Sequence, residues 1–269
     1  MSGFSAQWLA LREPYDLRAR NRAVLDAVTA HFADRPAVSV VDLACGTGSS
    51  LRAISPYLPV RQSWRLVDND LGLLARTPEL AEPPHRIVQV RAIDLGRDLE
   101  LALDGALDLV TCSALLDLVS ADFVERLVVE VAARRLPVYA ALSYDGGSVL
   151  DPPAAFDAEM LAAVNRHQRR DKGFGPALGP QAAAQAIARF EAVGYAVVQG
   201  HSEWVFGTQD DVIQREILSG WASAARELGD VPLERIAAWL TRRLELIADA
   251  RAQLRIGHID FFASAIGRR

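Results

Sequence analysis

From residue 38 onward, short apolar runs alternate with stretches whose apolar residues recur at helical intervals. "VSVVDLA" (38–44), "WRLVDN" (64–69), "RIVQVRAIDL" (86–95), "LDLVTCSA" (107–114) and "VYAALSY" (138–144) read as buried strands. Between them, segments such as "DFVERLVVEVAARR" (122–135) repeat apolar residues three and four apart, as one face of a helix does. Strand and helix in regular alternation predict an α/β fold, with a parallel sheet covered on both faces and right-handed crossovers. No long-range repeat interrupts the pattern.

After Tyr144 the rhythm changes. "YDGGS" reads as a tight turn. A helical pattern follows from about Pro153 to Arg170, then the loop "HQRRDKGFGPALGP" (167–180), then a helix closed by Gly194, which suits a left-handed cap. "YAVVQGHSEWVF" (195–206) looks like strand, and two amphipathic helices come next, roughly Asp211–Leu228 and Leu233–Leu254. In the second, Leu233, Ile236, Ala237, Leu240, Leu244, Ile247 and Ala248 share one predicted face. "HIDFFASAI" (258–266) is again strand-like, and the first 35 residues read as two helices broken around Pro14.

Composition narrows the classes. A chain of 269 residues that is 51% hydrophobic and 23% charged is globular and can bury a substantial core. A net charge of −5 argues against nucleic-acid binding, which needs a dominant basic surface, but leaves room for a locally basic pocket. Cys45 and Cys112 are far apart and lack metal-ligand spacing, so neither a disulfide scaffold nor a structural zinc is expected. No apolar run is long enough to cross a membrane, and the N-terminus carries charge where a signal peptide needs an apolar core; the cytoplasm is the default expectation.

The sharpest local signal is "VVDLACGTGSS" (40–50). A buried strand leads to Asp42, a glycine-bearing turn follows, and a helix starts near Ser49. Glycines let the backbone approach a ligand closely, and the helix N-terminus adds free N–H groups. Leu51 occupies the third glycine position of a dinucleotide fingerprint, and an acid before the turn would repel a pyrophosphate. A cofactor with a cationic amino-acid portion tolerates that acid. Asp68 ends the next strand, in "RLVDND", and Asp94 the third, in "RAIDL". Each acid alone fits an ordinary turn or helix cap; three in succession fit a ligand better.

With these residues the chain resembles the class I, seven-stranded S-adenosylmethionine-dependent methyltransferases, over about 37–145, 181–206 and 256–266. The resemblance implies a doubly wound sheet of order 3-2-1-4-5-7-6 with its last strand antiparallel. It also implies S-adenosyl-L-methionine as cofactor. Asp42, Ala44, Gly46 and Gly48 match the turn that holds the methionine portion, with Ala44 replacing the family's usual first glycine. Asp68 matches the ribose-binding acid, with Asn69 and Leu71 flanking the adenosine. Asp94 matches the adenine-edge acid beside Leu95, and Cys112 and Ser113 the wall along the methionine side. Arg20 or Arg12, from the N-terminal helices, would reach the cofactor carboxylate, a solvated helix face being the alternative for Arg12.

The implied organisation is one methyltransferase domain over 1–269. Helices at 1–36 precede a cofactor-binding core at 37–145, a substrate-side insertion at 146–180 and core at 181–206. A helical insertion at 207–255 and the last strand at 256–269 follow. The expected activity is methyl transfer to oxygen or nitrogen of a small molecule, without nucleic-acid or membrane partners and with a homodimer left open. A catalytically silent cofactor-binding or scaffold protein, a protein methyltransferase and a dinucleotide oxidoreductase are the alternatives. His167 and Asp145 are candidate bases. Asp117, Arg169, Arg170, Lys172, Phe174, Trp204 and His258 are candidate substrate contacts, with Trp221 as a further stacking aromatic. Lys172 stands out as the one lysine among 29 basic residues. A compact ammonium there fits an acidic substrate group or a structured lid. "DPPA" (151–154) superficially matches an amino-methyltransferase motif, but follows the fifth strand rather than the fourth and lacks its aromatic.

Overall fold

The computed structural model describes residues 4–77 and 84–267. Five parallel strands form the expected frame: β1 (Ala37–Leu43), β2 (Arg61–Asp68), β3 (Arg86–Ala92), β4 (Leu109–Ser113) and β5 (Val138–Asp151). Of the remaining strands, β6 (Tyr195–His201) lies at the far edge. The short β7 (Trp204–Phe206) and the long β8 (Gln253–Ala265) complete the sheet. The order is β3-β2-β1-β4-β5-β8-β6, with β8 antiparallel to both neighbours and β7 paired to its first half. This is the predicted order, with β8 as the seventh strand and β7 as an addition.

Alternation along β1 sorts its side chains to two cores. Val41 and Leu43 face one side, under α5 (Leu95–Ala102), α6 (Ala121–Ala133) and α8 (Ala182–Ala192). Val38 and Val40 face the other, under α2 (Arg22–Phe32) and α3 (Ser49–Ile54), where Phe32, Ile54 and Trp64 are fully enclosed. A third core lies on the extended part of β5 with β7 and the first half of β8. There Met160 of α7 (Asp157–Gln168), Phe206 and Ile256 pack with Ile217 of α9 (Asp211–Leu228) and Trp239 of α10 (Leu233–Ala248). Tyr15 and Trp8 of α1 (Ala6–Ala19) pack against this third core. Among the described residues, no helix is long and apolar enough to cross a membrane.

Four local expectations change. "YDGGS" does not reverse the chain; β5 continues to Asp151. Its ladder with β8 shifts register between Ala140 and Ser143 and again between Tyr144 and Ser148, where Gly146 takes a φ of +88°. The glycines accommodate extra residues opposite β8 rather than a hairpin. Pro14 sits inside α1, and the break comes later, where Asn21 accepts the Val24 N–H at 3.2 Å. Asp157–Gln168 is the helical part of 153–170, and α10 ends at Ala248 so that Gln253 and Leu254 already belong to the last strand rather than to the helix. The buried face of α10 is Ile236, Trp239, Arg243, Leu246 and Ile247, leaving Leu233 63% exposed. The helix is turned so that Arg243 and the Trp239 N–H both reach Asp157 of α7.

Candidate functional site

The carboxyl ends of β1, β2 and β3 converge on one cavity of about 830 Å³. At the end of β1 the backbone enters left-handed conformations at Ala44 (φ +53°), Gly46 (+55°) and Gly48 (+84°) before α3 begins. Ala44 takes that geometry without being glycine, at a cost of about 1–2 kcal/mol. A Cβ at Gly46 would stand 3.2 Å from the Leu9 side chain of α1, so this helix lies directly across the turn. Asp68 Oδ2 accepts the Gly46 N–H at 2.8 Å and its Oδ1 accepts the Asp70 N–H at 3.0 Å. One carboxylate thus ties the end of β2 to the turn after β1. Asp94 caps α5 through the Gly96 N–H at 3.0 Å, and its side chain is also part of the cavity wall.

Beneath the turn, Asp42 is wholly enclosed and neither carboxylate oxygen has a hydrogen-bond partner within bonding geometry. Burial pushes its pKa up to about 7, against the pull of the nearby Ser50 hydroxyl and the Arg20 charge. Burial likewise pushes both cysteine thiols up, Cys45 and Cys112. Asp117, after β4, is raised to about 6 by burial, opposed by backbone N–H groups including that of Tyr144 and by the charges of Arg12 and Lys172.

The opposite wall comes from α1 and from the loop after α7. Arg12 Nε donates to Asp16 Oδ2 at 2.9 Å, while Asp16 Oδ1 accepts the Trp204 indole N–H at 2.9 Å. In the loop, Asp171 Oδ1 accepts the N–H groups of Gly173 and Gly175, and the Phe174 ring packs edge-on against Phe123, centroids 5.0 Å apart. Leu178 N–H donates to Val119 O at 2.8 Å, fastening the loop beside the end of β4. These contacts hold Lys172, Gly173 and Phe174 in the cavity wall. Lys172 Nζ lies 3.4 Å from His167 Nδ1, and burial lowers its pKa.

No protein-family model matches the sequence, and no curated protein matches it either. Solved structures do match. A cyclopropane synthase from Mycobacterium tuberculosis aligns over 97% of this chain and 94% of its own, with a TM-score of 0.52 and 10% identity. A cyclopropane-fatty-acyl-phospholipid synthase-like protein from Lactobacillus casei ATCC 334 covers the same shares, with a TM-score of 0.52 and 14% identity. A provisionally named methyltransferase from Bacillus halodurans C-125 aligns over 91% of this chain and all of its own, with a TM-score of 0.52 and 16% identity. Strand order and these superpositions agree. The chain has the class I methyltransferase fold.

Of the residues expected to face a cofactor, Ala44, Gly46, Asp68, Asn69, Asp94, Leu95 and Ser113 line the methyltransferase-fold cavity. Asp42, Gly48 and Cys112 stand behind this wall. Arg20 also stands behind it, with Nη2 bonded to Ser113 Oγ at 3.1 Å and Nη1 to the Tyr139 hydroxyl at 3.3 Å. The cation that α1 does present is Arg12, which is 8% exposed and not on a solvated helix face.

Of the residues expected to contact an acceptor, Lys172 and Phe174 line the cavity and the others do not. Both His167 ring nitrogens are engaged, Nε2 with Glu227 Oε2 at 2.9 Å and Nδ1 with Lys172. Asp145 accepts the Gly147 N–H at 2.8 Å within the bulged part of β5. Arg170 donates to the Glu227 carbonyl, and Arg169 packs beside Gly179. Trp204 and His258 are buried with ring centroids 4.8 Å apart, and burial lowers the His258 pKa to about 3. Asp117 is buried behind Leu115 and Leu118, which do line the cavity. Trp221 packs against the third core. Asp16 is among the wall residues that the sequence did not announce. Its four-residue spacing from Arg12 on a helix was the available signal.

Proposed function

We propose that this protein is an S-adenosylmethionine-dependent methyltransferase acting on a small molecule at oxygen or nitrogen. The observation that carries the proposal is the placement of Asp68 and Asp94, from the ends of adjacent strands, in the wall of one cavity beside the left-handed turn after β1. Asp68 would receive the ribose hydroxyls, and Asp94 with Leu95 the adenine edge. The turn at Ala44 and Gly46, with Ser113, would hold the methionine portion. Asp42, wholly enclosed beneath that turn, would support it from behind rather than touch the ligand. When bound, the cofactor supplies an activated methyl group on a sulfonium. The residues around it have to orient the acceptor and exclude water, and alignment alone contributes about 7–11 kcal/mol to such a step.

His167 and Asp145 enter no step of this reading, since neither lines the cavity. A cytoplasmic setting without nucleic-acid or membrane partners belongs to the same proposal. The test is a melting experiment with S-adenosylhomocysteine and NADH in parallel. Saturation at 100 times the dissociation constant stabilises the native state by about 2.7 kcal/mol. A rise in Tm with S-adenosylhomocysteine and none with NADH supports the cofactor assignment; the reverse pattern overturns it. Consumption of S-adenosylmethionine with a panel of small amines and hydroxy acids then separates an enzyme from a silent binder.

A further inference from the structure

The cavity wall contains a buried guanidinium with an unused edge. Arg12 is 8% exposed, and its Nε is held by Asp16. Its terminal Nη1 and Nη2 groups have no acceptor among the described residues; the Trp204 ring, 5.7 Å away, meets the guanidinium as a cation–π partner rather than as an acceptor. Asp16 cannot turn to serve that edge, because its second oxygen is occupied by the Trp204 N–H. The result is a fork of donors fixed in position from behind. Such a fork matches two oxygens of a carboxylate or phosphate.

Position indicates what the fork is for. The acids assigned to the cofactor stand at the ends of β1, β2 and β3. Arg12 follows Leu9 by one turn of α1, and its guanidinium lies over the Trp204 ring of β7, which packs on His258 of β8, so the fork sits where α1 passes from the turn after β1 to the β7–β8 pair. Lys172 lines the same cavity, and its ammonium has His167 Nδ1, at 3.4 Å, as its hydrogen-bond partner. The apolar side chains of Phe4, Leu9, Leu115 and Leu118 make up much of the remaining wall.

We propose that the acceptor carries an acidic group, a carboxylate or a phosphate, received by the open edge of Arg12 with Lys172 as the second cation. Calling the ligand an acceptor rests on the methyltransferase reading; the anion site itself does not. The experiment titrates benzoate, phenyl phosphate and neutral benzamide into the protein saturated with S-adenosylhomocysteine, and into the cofactor-free protein. At least one anion is expected to bind tenfold or more tightly than benzamide, and the preferred anion identifies the acidic group. Arg12→Gln is expected to weaken that anion at least tenfold, and Lys172→Gln, on a partly exposed loop that tolerates the change, about threefold. Both should leave S-adenosylhomocysteine affinity within threefold. Equal binding of benzamide, or no binding of either anion, overturns the proposal. So does a tenfold loss of S-adenosylhomocysteine affinity in Arg12→Gln, which would assign the fork to the cofactor's own carboxylate. If wild-type protein fails to bind S-adenosylhomocysteine, the methyltransferase reading falls, and the cofactor-free titration still decides the anion site.

Discussion

The two ends of the sheet handle charge in different ways. At the β1–β3 end, Asp68 and Asp94 bond mainly to backbone N–H groups close by: Asp68 to Asp70 and to the adjacent turn, and Asp94 to Gly96. At the β5–β8 end, charged groups are joined across long stretches of chain. Asp16 meets Trp204, 188 residues away, and Arg243 meets Asp157, 86 residues away. Asp260 accepts the N–H groups of Asn21 and Leu142 and the Ser202 hydroxyl. The first arrangement forms once each strand and turn form. The second exists only when the N-terminal helix, both insertions and the last strands have docked together.

That contrast can be broken most forcefully at Arg243. Arg243→Ala leaves Asp157 without its buried partner, a loss of about 3–5 kcal/mol read by urea or thermal denaturation. If the two ends are as independent as their contacts indicate, S-adenosylhomocysteine affinity at a temperature where the variant is folded stays within threefold. A large loss of affinity would show that the helical insertion shapes the cofactor end too.

Two buried groups, Asp42 at one end and His258 at the other, differ in the sign of their pH dependence. The Asp42 pKa in the native state is about 7, above its ordinary value of 3.8, so the folded protein holds that proton more tightly than the unfolded chain. Stability from this group is full below about pH 4 and lost as pH rises to 7, each pH unit in that window removing at most about 1.4 kcal/mol. Asp42→Asn should remove that decline from the pH profile of the cofactor-free protein. His258 runs the other way. Its pKa falls from 6.5 to about 3, so its contribution is present above 6.5 and lost as pH falls toward 3. His258→Gln should flatten the acid limb of the same profile.

Smaller effects sharpen the comparison. Trp204→Phe keeps the ring beside His258 and Arg12 but removes the donor to buried Asp16, costing about 1.5–3 kcal/mol by thermal denaturation. Asp94→Ala removes the α5 cap, for about 1 kcal/mol of stability, and should also weaken S-adenosylhomocysteine binding in calorimetry. A variant that loses the cap energy but keeps full affinity would reduce Asp94 to a structural residue.

The same division explains what could be read before the structure. The strands and the turns that end them were legible because hydrophobic alternation encodes them locally, whereas strand order and the cavity positions of Asp68 and Asp94 followed from the family resemblance that those strand ends carry. Asp16 was not, because nothing near it in sequence announces Trp204. His167 looked like a base, but its ring is held between Glu227 of α9 and Lys172 of the loop, a pairing only the docked insertions create. Asp145 and the two glycines beside it have turn chemistry, yet β8 supplies a long partner that keeps β5 extended. Pro14 was read as a break where the α1 contacts, Arg12 to Asp16 and Tyr15 to Asp210, hold a continuous helix.

Calorimetric titration of S-adenosylhomocysteine into wild-type and Asp68→Ala protein asks whether the strand-end acids form a cofactor site. Asp68 both lines the cavity and braces Gly46, so wild-type binding should be measurable and weakened roughly 10- to 100-fold in the variant, a loss of about 1.4–2.7 kcal/mol. Absence of wild-type binding, or equal affinity in a folded Asp68→Ala variant, would contradict it.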